Sequence, residues 1–216
     1  MSALCTATDQ IMLKLTSAAL NGRGPVCGVE KLAREYEGDA KYPDADARVQ
    51  ALIRWETSKG FTGGFVTGMG GAITLPVTIP ASLTTTWMLS MRLILTVARL
   101  YGHDPRCDRV QTLAFMVLAG DSLKEAGKRC GIEIAEKSAR VAIRQIPREA
   151  LTRINKAIGY RLLTKAGKTG LIRLNRLVPV VGGIVGGAFD SSACYCAGKA
   201  ARKLFGRDVG LACSPS

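Results

Sequence analysis

The residues whose types and spacing could do chemistry are, first of all, cations. Positions 137 to 176 carry Lys137, Arg140, Arg144, Arg148, Arg153, Lys156, Arg161, Lys165, Lys168, Arg173 and Arg176 against one acid, Glu149, a local charge of +10. On amphipathic helices such a block attracts an anionic surface, and each well-placed Lys or Arg near an acidic bilayer contributes about 1 kcal/mol. A solvated helix face is the plain alternative for any charge run. Nucleic acid is the other polyanion to weigh. The block holds a single aromatic, Tyr160, and no RNP, KH or zinc-finger pattern, which leaves nucleic acid the weaker partner.

Nucleophilic, metal and nucleotide chemistry find less material. His103 is the only histidine, so any Ser-His or Cys-His pair must use it. It lies between a helix-stop signal, Gly102, and an N-cap signal, Asp104, which favours a turn role. Ser191-Ser192 with Asp104, Asp108 and Asp190 makes no recognisable hydrolytic set. Cys194-Tyr195-Cys196 lacks the CxxC spacing of zinc or redox sites, and no metal or cofactor site is expected. Gly167-Lys168-Thr169 resembles the end of a phosphate loop, but Leu162 stands where the first glycine is needed. Gly68-Met69-Gly70 fails as a dinucleotide fingerprint because Ile73 occupies the third glycine position.

The elements that must position these side chains read as helices throughout. Helices are expected over about 7–21, 27–37 and 43–59, with Ile11, Met12 and Leu15 on one face of the first and Val49, Leu52 and Ile53 on one face of the third. Gly22 to Pro25 and Gly38 to Pro43 break them. From Gly60 to Met91 runs a 32-residue stretch without a charged side chain. It is long enough to cross a bilayer, but its six glycines, seven threonines, Pro76 and Pro80 are unlike a plain spanning helix. It reads as a helix, a kink and a second helix from about Ala81 to Tyr101, buried in protein in preference to inserted in lipid. Asp104 is expected to cap the next helix, with Pro105 in its first turn and Gly120 after its end. Pro147 opens another, with Leu151, Ile154, Ile158 and Leu162 on one face. No stretch alternates as a strand, so the expected architecture is a compact all-α multi-helix bundle.

Two glycine strips stand out within it. Gly60, Gly64 and Gly68 recur every four residues, and Gly182, Gly183, Gly186 and Gly187 form overlapping GxxxG steps in a second apolar segment, 177–198. Such strips let helix backbones approach closely, and the two are expected to pack together. Arg92 and Asp190 are the ionisable groups nearest these segments. A buried Arg92–Asp190 pair would lock them, and the alternative is two helix-end residues facing water. Trp87, Phe61 and Phe65 are core residues or, alternatively, interfacial anchors.

Composition bounds the rest. The 216 residues are 47% apolar and 22% charged with net charge +13, which excludes wholesale disorder and suits one domain. Residues 1–60 balance eight basic against eight acidic groups, whereas 101–216 hold 20 against nine, so the positive field belongs to the C-terminal half. Seven cysteines at irregular spacing and a start without an apolar leader point to a cytoplasmic protein with reduced, mostly buried thiols and no disulfide framework. Cys213 has the prenylation position but no aliphatic pair after it.

An ordered set of short motifs carries a family resemblance. Lys59-Gly60-Phe61 leads into Gly68-Met69-Gly70-Gly71, then Leu75-Pro76-Val77-Thr78-Ile79-Pro80-Ala81, then Arg92 and Tyr101-Gly102-His103-Asp104. Ile154-Asn155-Lys156-Ala157-Ile158-Gly159, the Pro179 to Gly183 run through Asp190, and Ala200 to Phe205 complete it. Across roughly 28–206 the sequence resembles the bacterial EcsC family, named from a gene beside the components of an ABC transporter linked to secretion. The resemblance implies no catalytic residues. It gives an N-terminal helix and loop over 1–27, a single EcsC-like domain over 28–206 and a tail over 207–216.

The expected function is reversible, non-enzymatic association with anionic lipid at the inner face of a membrane. The basic block would supply attraction, and the Pro76–Pro80 hairpin and the 177–189 strip apolar contact. The alternatives are a soluble adaptor or regulator of an ABC-type transporter, and a hydrolase built on His103, Asp104 or Asp108.

Overall fold

The computed structural model describes residues 2–61, 81–120, 148–174 and 179–206. Seven helices and one minimal hairpin make up these residues: α1 (Ser2–Asn21), β1 (Gly22–Arg23), β2 (Val26–Cys27), α2 (Val29–Glu37), α3 (Ala45–Phe61), α4 (Ala81–Leu100), α5 (Asp108–Ala119), α6 (Arg148–Leu174) and α7 (Pro179–Phe205). The all-α expectation holds. The antiparallel pairing of Gly22 with Cys27 and Arg23 with Val26 is an addition to it; two-residue strands are too short to leave an alternating pattern.

α4 is the axis of the bundle and packs against α1, α2, α3, α5 and α7. Its sequence accounts for that position. Met91, Leu93, Ile94, Leu95, Val97 and Ala98 are all fully buried, and a helix apolar all round has no face to give to water. The outer helices instead each bury one stripe: Ile11, Met12 and Leu15 of α1, Val49, Leu52 and Ile53 of α3, and Leu151, Ile154, Ile158 and Leu162 of α6. α6 lies on α1 and α5, and α7 lies on α3, α4 and α5. Trp87 belongs to the same core, as the core reading of that aromatic expects.

Helix ends follow local chemistry. Asp44 accepts a hydrogen bond from the Ala47 N–H at 2.7 Å and caps α3. α4 ends in a Schellman motif: Gly102 takes φ +81°, its N–H donates to Arg99 O at 2.9 Å, and the His103 N–H reaches Ala98 O at 3.0 Å. Gly120 closes α5 in the left-handed conformation. One cap is displaced from expectation. α5 begins at Asp108 with Cys107 as its N-cap, whereas Asp104 turns its carboxylate onto the Arg106 N–H at 2.8 Å. That local Asx turn satisfies Asp104 before a helix can start there.

Of the glycine strips, Gly60 falls in the last turn of α3 and Gly182, Gly183, Gly186 and Gly187 in the first turns of α7; Gly64, Gly68 and the Pro76–Pro80 kink lie outside the described residues. Whether the two strips face each other lies outside the described residues; α3 and α7 are neighbours. The close approach seen between them is at Gly198, where a Cβ would stand 2.8 Å from Ile53 Cγ1. The thiol expectation needs a correction at Cys107, which is disulfide-bonded; Cys27 and Cys196 are free.

Candidate functional site

Charged side chains occupy three settings, one inside the bundle, one at its seams and one on its outer faces. The interior holds Arg92. α4 carries it into the core at 2% exposure, and its Nη2 donates to Oε2 of Glu56 on α3, itself 6% exposed. Nη1 lies 3.4 Å from the Cys27 carbonyl oxygen and 3.6 Å from Cys27 Sγ. The carboxylate that neutralises Arg92 is therefore Glu56, which sequence reasoning missed. A readable signal existed: Val49, Leu52, Ile53 and Glu56 fall at i, i+3, i+4 and i+7, placing Glu56 on the buried stripe of α3. The side chain of Asp190 lies outside the described set. A water-facing Arg92 is excluded by its burial. Tyr36 stands in the same interior, where burial first and the Glu56 charge second push its phenol well above the usual range.

Asp46, in the first turn of α3, gathers a seam between three helices. Arg202 of α7 grips it in bidentate fashion, Nε to Oδ1 at 2.8 Å and Nη2 to Oδ2 at 2.6 Å. The Tyr101 hydroxyl donates to Oδ1 at 2.7 Å and Gln50 to Oδ2 at 2.9 Å. The Arg202 hydrogen bonds first and the Tyr101 hydrogen bond second hold the Asp46 carboxyl well below the usual carboxylate range. Burial and the same carboxylate push the Tyr101 phenol up to about 12. Beside this knot His103 is buried, its ring 5.5 Å from that of Phe205 and its Nε2 3.4 Å from the Phe205 carbonyl oxygen. His103 thus packs the α4–α5 corner onto the end of α7. Asp104 is spent on its turn, and Ser191 donates to Thr57 O at 3.2 Å, so the described geometry joins none of these into a nucleophile and base.

The outward setting is the basic helix. Its buried stripe leaves Arg153, Lys156 and Tyr160 exposed along one line of α6, Tyr160 at 56%. Arg161 is half-buried. Arg148, Lys165, Lys168 and Arg173 lie on α6 with side chains outside the described set, and Lys137, Arg140, Arg144 and Arg176 lie outside the described residues altogether. No group of three His, Cys, Asp or Glu able to hold a metal is found among the described residues. No described helix is long and apolar enough to cross a membrane.

Fold and site together define an all-α bundle, keyed internally by the buried Arg92–Glu56 ion pair, with cations on an outer helix face. The chain belongs to the EcsC protein family, which it matches over residues 11–207. That match opens at Ile11, within α1, whose apolar face is part of the common core. No curated protein and no solved structure matches the chain.

Proposed function

We propose that this EcsC-family protein is a binding protein that attaches reversibly to an anionic membrane surface, at the cytoplasmic face. The observation that carries the reading is the register of α6. Leu151, Ile154, Ile158 and Leu162 are held in the core, and that grip turns Arg153, Lys156 and Tyr160 to the outside. Two cations at about 1 kcal/mol each give a roughly thirtyfold attraction, which is weak and reversible attachment. The remaining cations of 137–176 and apolar contact from the glycine-rich segments would raise it, since stable anchoring takes two signals. Tyr160 has the amphipathic ring that settles at headgroup depth.

Binding of the purified protein to phosphatidylglycerol-containing vesicles and to phosphatidylcholine vesicles, each at low and high salt, tests this. Salt-sensitive binding to the anionic vesicles alone is expected. No binding at low salt, where screening is weakest, overturns the reading and leaves the adaptor of an ABC-type transporter, which crosslinking to a protein partner would then identify. The hydrolase reading has the least support, because its histidine is packed under Phe205.

A further inference from the structure

A second cationic face lies outside the basic block, on the last turns of α7. Ser191, Ala197, Ala201 and Phe205 are buried, and they fix the register of the helix. Tyr195, Cys196, Lys199 and Lys203 consequently fall on its exposed side, with Tyr195 44% exposed. The sequence from Ser191 to Arg207 contains no acidic residue. Arg202, the remaining described cation of these turns, is turned away into the Asp46 seam. The stripe is organised, too: Lys199 Nζ stands 5.3 Å from the centre of the Tyr195 ring. The ammonium over the ring face is a cation–π contact that holds the two side chains together on the helix surface.

We infer that this Tyr195–Lys199–Lys203 stripe is a second contact surface for anionic lipid headgroups, used together with the α6 face. The inference rests on the membrane-surface reading and extends it to a helix that the charge distribution of the sequence does not single out. Charge complementarity commits the occupant: the turns from Ser191 to Arg207 carry cations and no acidic residue of their own. An amphipathic aromatic beside two long lysines matches the boundary between headgroups and acyl chains. The convex face of a helix meets a planar surface without needing a complementary shape. Two separated contacts also suit a protein whose α6 attraction is weak alone, because linked contacts multiply their effects.

Cys196 supplies a probe on the stripe itself, being exposed and free. Its alkylation by a maleimide, followed by peptide mass spectrometry, is expected to slow severalfold when phosphatidylglycerol vesicles are added at low salt. Phosphatidylcholine vesicles should leave it unchanged. A Lys199→Gln/Lys203→Gln variant with unchanged circular dichroism is expected to bind the anionic vesicles about thirtyfold more weakly. If wild-type protein binds those vesicles while Cys196 stays equally reactive and the variant binds as tightly, this inference fails alone, and the stripe is left for an acidic protein surface. If the wild-type protein binds no vesicles, the membrane-surface reading fails and this inference falls with it.

Discussion

The guanidinium of Arg92 and the carboxylate of Glu56 are hydrogen-bonded inside the bundle, joining α4 to α3 where neither side chain meets water. Desolvating two charges costs several kcal/mol per ion, so the pair is weak evidence for stability as such. What it does is specify: a charge on the axial helix tolerates only an arrangement that brings Glu56 to it. Removing one partner strands the other. Glu56→Gln should lower unfolding stability by about 3–5 kcal/mol, measured by urea titration. Glu56→Leu with Arg92→Met should recover most of that loss. A Glu56→Gln cost under about 1 kcal/mol would show that the pair is not desolvated in solution.

The Asp46 seam gives a pH dependence with a definite sign. The folded-state pKa of Asp46 is depressed by Arg202 and Tyr101, so its contribution is present above the unfolded value of about 4 and is lost as pH falls below it. The partners are about half exposed, which screens the interaction, and Asp46→Asn should cost no more than about 1 kcal/mol at neutral pH. The stability gap between Asp46→Asn and wild type should shrink as pH is lowered from about 4. A gap that stays constant through that range would contradict the knot. At the alkaline end Tyr101 ionises near 12, and Asp46→Asn should move that phenol downward in an ultraviolet titration.

Gly198 sets the spacing of α7 on α3. An added Cβ would lie 2.8, 3.1 and 3.2 Å from Cγ1, Cγ2 and Cδ1 of Ile53, and a β-branched side chain has little freedom to withdraw. Gly198→Ala should therefore destabilise by about 1–3 kcal/mol. In an Ile53→Ala background the same change should be neutral or stabilising, because Ala exceeds Gly in helix propensity by about 1 kcal/mol. Equal costs in the two backgrounds, measured by thermal unfolding, would show that the two residues do not touch.

Much of the bundle is legible in the sequence because its outer helices are amphipathic. The stripes Ile11–Leu15, Val49–Ile53 and Leu151–Leu162 are core in the structure as their spacing requires. Gly102 and Gly120 end helices as glycines with left-handed backbone do. Three features escape a first reading of the sequence, for three physical reasons. Glu56 looks like any helix charge until its place on the apolar stripe is noticed. Asp104 offers the same cap signal for a turn as for a helix. The exposed face of α7 is hidden because Ala, Gly, Ser and Cys in that region have no strong periodicity, and only the packing of Phe205 and Ala201 fixes which side faces out. Sequence proximity to the glycine segments points to Asp190 for Arg92, a pairing that lies outside the described residues; the partner seen is Glu56, at a residue separation of 36.

The most direct test of the membrane-surface account is flotation of the Arg153→Glu/Lys156→Glu variant beside wild type with phosphatidylglycerol-containing vesicles at low salt. Both positions are exposed, so circular dichroism and thermal unfolding should be unchanged. Reversing two charges removes two attractions and adds two repulsions, each about 1 kcal/mol, so the account predicts a loss of binding of two to three orders of magnitude. Flotation of the folded variant equal to that of wild type would contradict it.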